Sequence, residues 1–332
     1  MRIIPENTLA ELWVPNERYE YFKGHPDHPF RDKTRDFEVV NAWWLAEASF
    51  LAYGWPTLAE YHFKNAGFTQ CQYFTGTSTQ CYIVHNDNVV IVAFRGSEIS
   101  EQAGPEKRDL RYIIADWVAN SRTYLVDSGR RGLVHQGFKE ALDEVWERKQ
   151  LEAYIGEVRR QDGRTRTVWF TGHSLGAALA TLAADRYGDE VAGLYTFGSP
   201  LVGDAAFANA FRVDHYRFVN NDDVVTKVPF FGIRFNGVPF PGSYEHVGHM
   251  KYLDRDGRLV DNPSLIARLK DNRRRFSKNM VDYLRYLGMR LRLRALSGDL
   301  QELELPQNFL TDHAPYYYAA YLRRRIQQNS QE

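Results

Sequence analysis

Ser174 stands between Gly172 and Gly176 in a G-x-S-x-G pattern, the spacing of a nucleophile carried on a sharp strand-to-helix turn. Residues 167–170 form a β-branched and aromatic run, and an Ala/Leu-rich run begins directly after Ser174, so the order reads strand, tight turn, helix. The two glycines leave room where a side chain would collide with the strand or the helix. That geometry should lift the Ser174 hydroxyl clear of the backbone and toward solvent at the carboxyl end of the sheet. The new helix aims its free N–H groups and positive dipole end at the same spot, which suits a developing oxyanion. Acyl transfer is the chemistry such a serine performs. It needs a histidine to take its proton and an acid to orient that histidine, in the chain order serine, acid, histidine. Asp222 and Asp223 both follow a strand that ends at Asn220, and the residues alone do not separate them. Three histidines lie further on: His246, His249 and His313. His313 enters the last helical run, on a loop able to present imidazole to the top of the sheet. His173 and His135 lie upstream of the acid and drop out by chain order; His135 reads as structural.

The elements that must position these groups follow from periodicity. Residues 41–53 have helical apolar spacing and stop at Gly54, giving a helix packed on the sheet. Residues 89–94, Val-Val-Ile-Val-Ala-Phe, are a continuous apolar run, the mark of a strand buried on both faces. This strand runs straight into Arg95-Gly96-Ser97, at the end of the sheet where ligands bind in open α/β folds. A helix is expected over 139–154, and further strands over 191–197 and 215–220. Strands alternating with helices imply a mostly parallel central sheet flanked by helices. Residues 1–36, rich in Pro, His, Asp, Arg and Lys, read as an irregular N-terminal extension, and residues 37–332 as the α/β domain. The polar stretch from Glu98 followed by the amphipathic residues 112–118 makes 98–120 a lid candidate; an ordinary core helix after a loop is the other reading.

With 332 residues the chain can bury a large core. Lys plus Arg and Asp plus Glu both number 42, so no global charge argues for nucleic acid or an acidic partner. No run is long enough to cross a membrane and the first residues lack a signal-peptide pattern, which makes a cytoplasmic location the default expectation. Cys71 and Cys81 are too few for a disulfide framework or a zinc site. They are symmetric about Gly76 in a hairpin expected over 68–84, where facing cysteines would be able to bridge; in a reducing cytosol they stay thiols.

Six motifs in register carry a resemblance. They are Phe94-Arg-Gly-Ser97, Asp116-Trp117, Val134-His-x-Gly-Phe138, Gly172-His-Ser-Leu-Gly176, Gly198-Ser-Pro200 and Asn220-x-x-Asp223-Val-Val-x-x-Val-Pro229. Over roughly residues 40–325 they resemble the class 3 lipases, the α/β-hydrolase family of fungal triacylglycerol lipases and their bacterial and plant relatives. The resemblance implies an α/β-hydrolase fold and a serine esterase or lipase acting on fatty acyl esters. It places the acid at Asp223, directly before the hydrophobic-Val pair that leads to Pro229, and reads Asp222 as a solvated neighbour. It places the catalytic histidine at His313, ahead of a pair of aromatics and a terminal helix. The oxyanion hole is then the backbone N–H of Leu175 with an N–H from Ser97, whose hydroxyl also contributes in the family. Tyr244-x-His246-x-Gly248 resembles a family motif that ordinarily continues to a Glu, where this chain has Met250. No metal and no cofactor is implied. Because some members are exported without a signal peptide, the default location does not fix the site of action.

One feature falls outside the motifs. Residues 264–298 hold ten Lys and Arg interleaved with apolar residues against the acids Asp271 and Asp282, and read as a basic helical insertion between acid and histidine. Such a helix can lie transiently on an anionic membrane surface, or simply pack on the body as a solvated helix. A nucleic-acid role has no motif behind it. The expected partner is an ester lipid. Two other functions remain open from sequence: a soluble carboxylesterase, and a lipid-binding protein with a silent triad.

Overall fold

The structure, a computed structural model, describes residues 12, 18–97, 124–228, 244–264, 267 and 311–329. The lid candidate 98–120 lies outside the described residues, as does the basic insertion 264–298 apart from Ser264 and Ala267.

Two helices, α1 (Val39–Leu51) and α2 (Pro56–Asn65), lead into three antiparallel strands, β1 (Gln70–Thr75), β2 (Gln80–His85) and β3 (Val89–Phe94). After β4 (Leu125–Asp127) and β5 (Leu133–His135) come α3 (Gln136–Trp146) and α4 (Leu151–Arg160). The centre is β6 (Thr167–His173), α5 (Leu175–Tyr187) and β7 (Val191–Phe197), followed by β8 (Gly203–Asp204), α6 (Ala205–Ala210) and β9 (His215–Asn220). Beyond them lie β10 (Tyr244–Glu245), β11 (His249–Leu253), β12 (Leu259–Asp261) and finally α7 (Pro315–Asn329). The main sheet has eight strands in the order β1-β2-β3-β6-β7-β9-β11-β12. Its middle, β3-β6-β7-β9-β11, is parallel. A smaller sheet, β10-β8-β5-β4, stands apart.

Alternation along each strand assigns its side chains to two cores. Ile91, Ala93, Trp169 and Tyr195 face one layer with α1 and α7, whereas Val90, Val92, Phe170 and Leu194 face the other with α3, α4 and α5. Every residue of β3 is buried, as the apolar run required. Helix α1 is buried over nearly its whole circumference, including Trp43, Trp44 and Phe50. Its outer side is covered by residues of the stretch expected to be an extension: among its described residues Tyr21 and Phe22 belong to the core itself, and Tyr19 and Phe30 pack against it.

Two details depart from the sequence reading. The helix expected over 139–154 is two helices, separated at Glu147–Gln150, where Gln150 adopts φ 54° and α4 restarts. Each of the pair buries its own apolar stripe, which one straight helix of that length would not do on a twisted sheet. The hairpin turns between Thr75 and Gln80 rather than about Gly76, so Cys71 pairs with Val84 and Cys81 with Phe74. Three positions separate Val84 from Cys81, which puts the two cysteines on opposite faces of the sheet. Both are free, and burial pushes the Cys71 thiol up to about 12.

Candidate active site

Ser174 sits between β6 and α5 with φ 59° and ψ −126°, a backbone conformation costly for a residue with a Cβ. The turn is compressed to the limit of what glycine allows. A Cβ on Gly172 would lie 2.2 Å from the carbonyl oxygen of Gly176, and one on Gly176 would lie 2.3 Å from that of Phe94. The second contact also seats the end of β3 against the first turn of α5. The loop Arg95–Ser97 is thereby held beside the elbow, where Gly96 approaches the His173 carbonyl. Ser97 is buried there, and Leu175 is the first residue of α5.

The sequence reading set the Ser174 hydroxyl toward solvent, and the structure corrects it. Ser174 is 1% exposed and its Oγ, buried, makes no hydrogen bond. The elbow is tied to the end of β7, where the Phe197 carbonyl accepts the Ser174 amide at 3.0 Å.

Asp223 and His313 come together at the same end of the sheet, both fully buried. Asp223 follows β9, and its carboxylate is held from three directions. Oδ2 accepts from His313 Nδ1 at 2.8 Å and from the Tyr318 hydroxyl at 2.6 Å, while Oδ1 accepts from the Val225 amide at 2.9 Å. The Tyr318 hydroxyl accepts in turn from the Asn220 amide. With the Nδ1 proton committed to Asp223, the Nε2 atom of His313 is the basic one. Asp222, expected to be solvated, is buried and paired with Lys227. His246 is half-buried and His249 exposed, on and beside the β10–β11 edge.

Three contributors to this site escaped the sequence reading. His173, next to the nucleophile, donates from Nε2 to the His313 carbonyl at 2.6 Å and accepts at Nδ1 from the Tyr53 hydroxyl at 2.8 Å. Burial first, and then the His313 imidazole beside it, hold His173 well below the ordinary histidine range, so it is a neutral brace. Tyr53, just past α1, is the second contributor, and Tyr318 of α7 the third. Their only sequence signals were an aromatic at a helix end and an aromatic a few residues after His313. His135, read as structural, is so: its Nδ1 accepts the Phe138 amide at the start of α3, and burial lowers its pKa to about 4. Among the described residues no group of side chains is arranged to hold a metal ion, and no helix is long and apolar enough to cross a membrane.

A mostly parallel sheet with Ser174 on a strained elbow, Asp223 after a later strand and His313 last in the chain has the architecture of the α/β-hydrolase fold. Residues 91–232 match the model of the family "Lipase (class 3)". It is similar to a secreted mono- and diacylglycerol lipase of Penicillium cyclopium, 32% identical over 170 residues, covering 48% of this chain and 50% of that one. A lipase of Rhizomucor miehei is 34% identical over 154 residues, covering 43% of this chain and 38% of its own. The chain thus spans about half the length of the curated relatives it matches. A solved fungal lipase structure, "An unusual buried polar cluster in a family of fungal lipases", agrees in fold with a TM-score of 0.50 at 24% identity, covering 68% of this chain and 86% of that one.

Proposed function

We propose that this protein is a serine hydrolase that cleaves carboxylic esters of fatty acids, through Ser174, His313 and Asp223. The observation that carries the reading is the buried His313–Asp223 pair, 2.8 Å apart, at the sheet end where Ser174 occupies its strained elbow. His313 Nε2 takes the Ser174 hydroxyl proton as Oγ attacks the ester carbonyl. The carbonyl oxygen becomes an oxyanion, held by the N–H groups of Leu175 and Ser97. As the tetrahedral intermediate collapses, the imidazolium returns the proton to the departing alcohol and an acyl-serine remains. Water, deprotonated by the same Nε2, then releases the fatty acid and restores Ser174. Asp223 holds the Nδ1 side of the ring and so orients it. Losing one oxyanion donor typically costs about 10²- to 10³-fold in rate.

Relatives whose names include mono- and diacylglycerol lipase and phospholipase A(1) favour glycerolipid esters over simple soluble ones. Names that include "secreted" favour action outside the cytosol, against the cytoplasmic expectation. The domain reading stands as part of the proposal: residues 37–332 as one hydrolase domain, 98–120 as its lid and 264–298 as a basic insertion that touches anionic membrane. The test is fatty-acid release from mixed vesicles of anionic phospholipid and triacylglycerol, with products identified, for wild type and Ser174→Ala. Acid released by wild type alone is the expected result, and the product names the substrate class. Cleavage of a soluble short-chain ester without release from vesicles would sink the lipase reading.

A further inference from the structure

Ser174 follows β6 and Asp223 follows β9, whereas no strand end carries His313. It lies in a turn, Thr311–Ala314, closed by the Ala314 amide on the Thr311 carbonyl at 3.3 Å. The contact with Asp223 fixes its Nδ1, and a ring held at one atom can pivot about that atom and swing Nε2 aside. What holds the main chain behind the ring therefore decides where Nε2 points.

Residues close to Ser174 and Asp223 do that holding. His173, beside Ser174, donates to the His313 carbonyl at 2.6 Å, and Asn220 donates from Nδ2 to the Asp312 carbonyl at 2.8 Å. A third contact reaches the side chain of the residue before the histidine: Asn221 Nδ2 donates to Asp312 Oδ2 at 2.7 Å. The Asp223 amide donates to the Asn220 carbonyl at 2.9 Å, so both asparagines and the acid share one tight turn. That turn has a firm base, because the Asn221 amide donates to the carbonyl of Leu253, the last residue of β11, at 2.7 Å. Asn221 is buried and has φ 48°, a left-handed conformation in which asparagine is enriched among residues with a Cβ. Its amide meets the Asp312 carboxylate through the NH2 end, since the carbonyl end would set acceptor against acceptor.

We propose that Asn221 is a positioning residue, which acts through Asp312 to lock the His313 turn onto the turn that carries Asp223 and so fixes the direction of Nε2. Its effect on rate rests on the hydrolase reading; its effect on the ring does not.

Asn221→Gly removes the side chain and leaves a residue that adopts positive φ freely. Asp312→Ala removes the acceptor, and Asp312→Asn keeps an oxygen to which Asn221 can donate. Two measurements on the full chain test the clamp. One is kcat and KM on a soluble short-chain ester, with Ser174→Ala as the blank. The other is the downfield proton resonance of His313 Nδ1–H by NMR, assigned by its loss in His313→Asn. The expected result is a kcat lower by about tenfold or more in Asn221→Gly and in Asp312→Ala, with KM nearly unchanged, since a misplacement of about 1 Å costs on the order of 10²-fold. The double variant should be no slower than either single one, and Asp312→Asn should recover most of the lost rate. The Nδ1–H resonance should shift or broaden in Asn221→Gly and Asp312→Ala and stay in place in Asp312→Asn. Wild-type kcat in Asn221→Gly, or a slowed variant whose resonance matches wild type, overturns the proposal. If wild type cleaves no ester, the hydrolase reading is what fails and the resonance still decides: displaced in Asn221→Gly it supports the clamp, unchanged it overturns it.

Discussion

Asp223 spends both oxygens on fixed donors, and Gly198 is what lets that pair stand so close to β7. Gly198 has φ +60°, and a Cβ there would fall 2.8 Å from both Asp223 Oδ2 and His313 Nδ1. Gly198→Ala must therefore push the histidine off its acid. Since a displacement of about 1 Å costs on the order of 10²-fold in rate, kcat on a soluble ester should drop by about that factor while the melting temperature moves little by comparison. An unchanged kcat would mean that the His313–Asp223 contact does not matter to the reaction. At this scale the elbow at Ser174 was legible because its signal is local: two glycines, a strand and a helix within a few residues. The pairing of Asp223 with His313 was legible only through the motif order, since bare spacing left Asp222, His246 and His249 in play. Tyr53 and Tyr318 were not legible, because each reaches its partner across about a hundred residues of chain or more.

Among the elements, α1 carries the most unusual burden, a carboxylate in an aromatic core. Glu47 is fully buried, and accepts from Tyr19 Oη and Trp43 Nε1 on Oε1 and from the Phe22 amide on Oε2. Burial outweighs these donors and the nearby Arg323, and raises its pKa from 4.5 to about 7. A carboxyl raised on folding holds its proton longer in the native state than in the unfolded one. Its contribution is therefore complete below pH about 4.5 and is lost as pH rises to about 7, roughly 3 kcal/mol in all. Glu47→Gln should remove that slope, so the stability difference between wild type and variant, from urea melts at pH 5 and pH 8, should swing toward the variant at the higher pH. A constant difference would refute it. Element existence was readable wherever an apolar run was long, as in β3 and α1. Element interruption was not: nothing in the residues near Gln150 announces the φ 54° break, and the hairpin register followed the turn length rather than the symmetry of its cysteines.

At the level of the whole molecule, acid is the expected weakness. Burial holds His135 near 4 and depresses His173 and His215 strongly. Each of these stays neutral in the fold and charges in the unfolded chain, so their joint contribution is present above pH about 6.5 and is lost as pH falls below it. Melting temperatures measured from pH 7.5 down to pH 5 should decline, more steeply in wild type than in His215→Asn if that variant folds. The overall layering, helices on both sides of a mostly parallel sheet, was readable from alternation of strand and helix. The place of the N-terminal stretch was not, since its aromatics show no period and act only once Trp44, Phe50 and Phe63 are assembled beneath them. That the acid's partner arrives on the loop before α7 has a consequence for synthesis. On the ribosome, the elbow and its serine emerge and can fold long before Asp312, His313 and Tyr318 do. On the proposed function, Ser174 has no base to arm it until the loop before α7 has left the exit tunnel, so the hydrolase would stay inert while it is being made.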